Sequence, residues 1–180
     1  MFRRRARTAV AVAAHVGPEQ DHIDALGHVE AVRRGWQAFN HRDFAGAVQY
    51  LHPDGQAFPV VRLRQPRGGG NAGLLRGREQ VRQFLEMVSN AWERVTVQLE
   101  EVVVAPDGRL LAVEGWHVHG RDGIEVETMV VTVYAFRDGL VARLDSFLDR
   151  AKALEALTQC DARRRDMLSV PLPPAPPPGR

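Results

Sequence analysis

The chain predicts an α+β domain, and three observations carry that reading. Apolar residues recur every three or four positions through the first half. They alternate at period two through the second half, and Asp-Gly pairs punctuate the alternating runs. Helices followed by an antiparallel meander pack as helices on one face of a sheet.

From Asp21 to Asn40 the apolar positions Ile23, Leu26, Val29, Val32, Trp36 and Phe39 define an amphipathic helix. Asp43 is placed to cap a short second helix carrying Phe44, Ala47, Val48 and Leu51, and His52-Pro-Asp-Gly55 reads as the turn that ends it. A strand is expected over residues 56–63. The glycine-rich run of residues 64–73 is expected to be a mobile loop. A third helix, 77–93, puts Val81, Phe84, Leu85, Val88 and Trp92 on one stripe. Four strands follow at 96–104, 109–119, 124–136 and 140–147, joined through Asp107-Gly108, Asp122-Gly123 and Asp138-Gly139. A short helix, 150–157, closes the domain.

The organisation is thus a flexible basic tail (1–20), one domain (21–158) and an Arg- and Pro-rich disordered tail (159–180), the last holding six of the 11 prolines within residues 171–178. A chain of 180 residues needs no second domain to bury roughly two-thirds of its unfolded surface. The formal charge of +2 comes from the tails, because residues 21–160 hold 16 basic and 19 acidic side chains. A body with net charge −3 argues against a nucleic-acid face. The lone Cys160 excludes an internal disulfide and a cysteine-based zinc site, which fits a cytoplasmic protein. The opening Arg-rich and Ala/Val-rich stretch mimics a signal peptide but lacks large apolar residues and a clear cleavage site. No segment has the ~18 consecutive apolar residues of a membrane span.

The runs Val32-Arg-Arg-Gly-Trp-Gln-Ala-Phe-Asn-His-Arg-Asp43, His52-Pro-Asp54, Gly77-Arg-Glu-Gln-Val81, Asp138-Gly139 and Leu148-Asp-Arg-Ala-Lys-Ala-Leu-Glu-Ala156 resemble the SnoaL-like branch of the nuclear-transport-factor-2-like superfamily, over residues 22–157. The resemblance implies a cone: a curved, mixed or antiparallel sheet wrapped around the N-terminal helices, enclosing a deep pocket, often in a homodimer. It does not imply one chemistry, since function resides in the site and this fold hosts several. The positions matching the tyrosine, base and acid of ketosteroid isomerases hold Gly35, Pro59 and Thr132. Those matching the Arg-Asp-Asp set of limonene-epoxide-hydrolase-like members hold Gly115, His117 and Ser146. Neither mechanism carries over.

Read at period two, one sheet face is expected to gather His117, His119, Thr128, Thr132 and Ser146. His117 and His119 stand about 6.6 Å apart along one side of a strand. An imidazole with an ordinary pKa of about 6.5 can take a proton from a carbon acid and return it. They are therefore the catalytic candidates for a cyclase- or isomerase-type reaction without cofactor or metal. Trp36, Phe39, Pro59, Phe84, Met87, Thr128, Val130, Thr132, Leu144 and Ser146 are the candidates for contact with a small apolar metabolite. The opposite face is expected to hold Glu114, Trp116, Val118, Glu127, Met129, Val131, Val133, Arg143, Asp145 and Phe147, an apolar patch best covered by a second subunit. On that reading Glu114 is an ion-pairing residue of a dimer interface. A non-catalytic ligand-binding or accessory domain is the alternative reading, with no nucleic-acid or membrane partner in either.

Overall fold

The computed structural model describes residues 9–12, 19–60 and 73–158. The Arg-rich opening, all but the end of the glycine-rich loop, Cys160 and the proline-rich tail lie outside them. The element order is β1 (Ala9–Val12), α1 (Glu19–Asn40), α2 (Phe44–Val48), β2 (Leu51–Phe58), β3 (Leu75–Arg76), α3 (Gly77–Ala91), β4 (Arg94–Val104), β5 (Leu110–His119), β6 (Glu125–Arg137) and β7 (Leu140–Phe147). A final helix, α4, spans residues 150–158. The strands form one curved mixed sheet in the order β1-β4-β5-β6-β7-β2-β3. The antiparallel meander β4 to β7 is its centre. Parallel pairings of β1 with β4 and β2 with β7 flank it.

Local chemistry sets the boundaries. Asp43 caps α2 by accepting a hydrogen bond from Gly46 N at 2.8 Å. At the β6–β7 turn Asp138 and Gly139 both have positive φ (54° and 73°), the twisted two-residue geometry that favours Asp-Gly over bulkier pairs. Asp149 caps α4 through Ala151 N at 2.8 Å. Three elements depart from the sequence reading. The His52–Gly55 stretch, expected as a turn, belongs to β2, whose register against β7 shifts between Leu51 and Gln56 and so absorbs Pro53 and Gly55. Strand β3 is too short for a periodic signal. Ala9–Val12, read as part of a tail, pairs with β4 because Ala-Val alternation satisfies an edge strand as well as it mimics a leader.

Both faces of the sheet are covered at one end. On the concave side α1 packs on β4, with α2 and α3 completing the roof. The main core joins Val32, Phe39, Val48, Leu85, Val97, Leu110 and Tyr134 there. On the convex side a second cluster joins Leu111, Val113, Val131 and Val133 to Ala153 and Leu157 of α4. The apolar patch that suggested a second subunit is thus partly filled by the chain's own helix. Leu110 and Leu111 are neighbours with no exposure on opposite faces, and truncating either to alanine costs about 2–5 kcal/mol.

Candidate functional site

The register of β5 against β6 decides which side chains enter the cone. Residues 120–124 connect the strands and hold an odd number of residues, so Trp116 pairs with Thr128, Glu114 with Val130 and Ala112 with Thr132. Strand β7 continues the row, with Thr132 opposite Ser146 and Tyr134 opposite Leu144. Even-numbered residues of β5 and β6, with Leu144 and Ser146 of β7, therefore face the concave side, and beyond the register shift at Ala135 and Phe136, Val141 takes that side.

That corrects the expected face of β5. His117 and His119 point to the convex surface, where His117 Nδ1 lies 3.1 Å from Glu127 Oε1 and His119 Nδ1 lies 3.3 Å from Glu125 Oε1. Their side chains are 38% and 43% exposed, and neither lines the cavity. Glu114, Trp116 and Val118, expected outside, are inside. The wrong parity arose because Leu110 to Gly115 are all buried, so a strand covered on both faces loses the alternation that would orient it. A signal was nevertheless present in a lone carboxylate ending a run of four apolar residues.

The cavity encloses about 400 Å³ between the sheet and the helical roof, within the usual range for a small-molecule site. Its wall is mostly apolar. Of the expected contact residues, Trp36, Pro59, Phe84, Thr128, Val130, Thr132, Leu144 and Ser146 line it. Phe39 does not: it is buried in the core behind the wall, edge-on to the rings of Trp36 and Phe44. Met87 is on the exposed side of α3, 44% accessible, and is likewise outside the lining. Trp92, Val126 and Leu148 both line the cavity and reach solvent, which marks its mouth.

The deep end holds a polar cluster that the sequence reading missed. Glu114 is fully buried, and its Oε1 accepts hydrogen bonds from Tyr134 Oη at 2.5 Å and from Trp36 Nε1 at 3.1 Å. Trp36 Nε1 is also 3.2 Å from Tyr134 Oη, so it bridges the pair. Trp116 Nε1 stands more loosely, 3.5 Å from Oε2. Burial pushes the Glu114 carboxyl up to about 7, against the opposing pull of hydrogen bonds from Tyr134, Trp36, Trp116 and Thr132. Burial, and then the charge of Glu114, push the Tyr134 hydroxyl well above its ordinary value, so it stays a donor. A carboxyl poised near neutrality, held by fixed donors at the bottom of an apolar hollow, can accept a proton and give it back. Among the described residues no group of three or more His, Cys, Asp or Glu is placed to hold a metal ion.

Residues 32–144 match the model of the SnoaL-like domain. The chain belongs to the SnoaL-like family. Solved structures agree on the fold. Bal32a, from a soil-derived mobile gene cassette, is 22% identical with a TM-score of 0.59, covering 69% of this chain and 90% of that one. RV0760c from Mycobacterium tuberculosis, in complex with estradiol-17β-hemisuccinate, is 20% identical with a TM-score of 0.54, covering 69% and 95%. SalBIII, an epoxide hydrolase/cyclase-like enzyme in pyran ring formation in the polyether salinomycin, is 16% identical with a TM-score of 0.57, covering 71% and 95%. No curated protein matches the chain. No described helix is long and apolar enough to cross a membrane.

Proposed function

We propose that this SnoaL-like protein is an acid–base enzyme that moves a proton on an apolar, carbonyl-bearing small molecule, with Glu114 as the proton carrier in place of the histidines. The observation that carries the reading is the Glu114–Tyr134–Trp36 cluster at the blind end of the cavity. Ionised Glu114 takes a proton from the carbon next to the ligand's carbonyl. As charge leaves the carboxylate for the ligand oxygen, its claim on Tyr134 weakens, and the phenol donates to the new oxyanion. Trp36, already within reach of both oxygens, spans the change without moving. Glu114 then returns the proton at another carbon or oxygen, which is the step shared by isomerisation, aldol-type cyclisation and elimination. The ring-forming activity of SalBIII and the polycyclic ligand of RV0760c, on the same fold, accord with a bulky apolar substrate.

The second reading is a non-catalytic binding module. It is favoured by one observation: Tyr134, Trp36 and Trp116 already occupy much of the carboxyl's capacity to accept hydrogen bonds. Exchange of α-protons for deuterium in 1-tetralone, followed by NMR in D2O, separates the two. Catalysis predicts exchange by the wild type that Glu114→Gln loses while the ketone still quenches tryptophan fluorescence. Binding without any exchange above buffer leaves the non-catalytic module standing.

A further inference from the structure

Beside the carboxyl cluster, two hydroxyls meet across the β6–β7 pairing. Thr132 Oγ1 and Ser146 Oγ are 3.1 Å apart, cross-strand partners on the concave face, and both line the cavity. Thr132 is 1% exposed, and it stands close enough to Glu114 and Tyr134 to hold down the rise of both groups. A hydroxyl has one proton to give and two lone pairs to offer. With Glu114 ionised, the single proton of Thr132 is drawn to the carboxylate side. Thr132 is then left as an acceptor toward Ser146, whose own proton is spent on Thr132. What remains of Ser146 facing the cavity is lone-pair density.

We infer that the Thr132–Ser146 pair makes the cavity selective for apolar ligands bearing a hydroxyl or N–H donor, which docks on Ser146 while the ligand's carbonyl end meets Glu114. This rests on the proposed role of Glu114 only for the ligand's orientation; the polarity of the hydroxyl chain follows from a carboxylate at its end. The substrate class is thereby narrowed from a plain apolar ketone to a hydroxylated one, such as a phenolic or enolic ketone. A ligand lacking the donor leaves the Ser146 lone pairs desolvated and unpaired, and selectivity of this kind arises from that penalty.

The matched probes are 2-naphthol and 2-methoxynaphthalene, which differ in the donor and keep the oxygen. Their binding is measured at pH 8.5 by tryptophan fluorescence and calorimetry. The expected result is a preference of about tenfold for the naphthol in the wild type, roughly the worth of one buried hydrogen bond. Ser146→Ala and Thr132→Val are expected to bring it to near unity, and Ser146→Thr, which restores the hydroxyl, to recover it. Equal affinities in the wild type, a preference that survives Ser146→Ala, or failure of both probes to bind overturns the inference. Ketone exchange by the wild type is scored separately. Exchange without the naphthol preference removes only this inference, and the preference without exchange removes only the catalytic reading.

Discussion

The two faces of strand β5 carry titratable side chains with opposite surroundings. On the concave face Glu114 is sealed under α1, shares its oxygen with a phenol and an indole, and titrates near 7. On the convex face His117 and His119 meet Glu127 and Glu125, whose side chains are 79% and 70% exposed. The residue types are the ones chemists look for on both sides, and the histidine side looks richer on paper. What separates them is solvent. Water screens the convex pairs and weakens their mutual attraction. Its exclusion on the concave side makes the donors around one carboxyl count heavily.

The contrast breaks first at catalysis. Glu114→Gln is expected to lower proton exchange by about 10²–10⁴-fold, the usual contribution of a positioned acid–base group. His117→Asn is expected to leave the rate within about twofold. A large loss in the histidine variant with normal folding would return the chemistry to the convex face.

Stability against pH is the next test. The folded-state pKa of Glu114 lies above the unfolded value, from 4.5 to about 7, so the folded protein holds the proton more tightly. Its contribution is fully present below the unfolded pKa and is lost as pH rises through about 7, a change on the order of 3 kcal/mol. Urea midpoints at pH 5 and 8 should therefore fall for the wild type relative to Glu114→Gln. A pH-independent difference between the two proteins would mean the carboxyl is not desolvated.

Tyr134→Phe sharpens the same comparison. Removing the strongest donor is expected to cost about 1–2 kcal/mol more at pH 8 than at pH 5, because only the ionised partner suffers fully. Equal cost at both pH values would assign Tyr134 a packing role alone. The smallest effect is expected outside, where a double-mutant cycle on His117 and Glu127 should return at most about 1 kcal/mol, shrinking with added salt.

The sequence carried the architecture well and the site unevenly. Helices α1 and α3 were legible because each buries one stripe. The strands of the meander were legible because Asp107-Gly108, Asp122-Gly123 and Asp138-Gly139 mark every turn, with the glycines at positive φ. Thr128, Thr132 and Ser146 share one face because Thr128 and Thr132 stand four residues apart on β6 and Thr132 pairs with Ser146 across the turn at Asp138-Gly139. The β5 run Leu-Leu-Ala-Val-Glu-Gly does not alternate, since α4 covers its outer side as the roof covers its inner side. The sequence reading started the next strand at 124, whereas β6 begins at Glu125, so the odd length of the connection shows only in the structure. Tyr134 was passed over for a different reason: from sequence a tyrosine late in a strand looks like ordinary core, and only its 2.5 Å contact with Glu114 distinguishes it.

Trp36 ends up fastened to two oxygens of the sheet from a helix on the other side of the hollow. Swinging α1 outward would strip a charged group of its compensation in the middle of oil, so the roof over the blind end is locked by the same bonds that tune the chemistry. Among the described residues the open rim lies far from it, by Trp92, Val126 and Leu148, and variants that loosen the helix should dull reactivity before they widen that doorway.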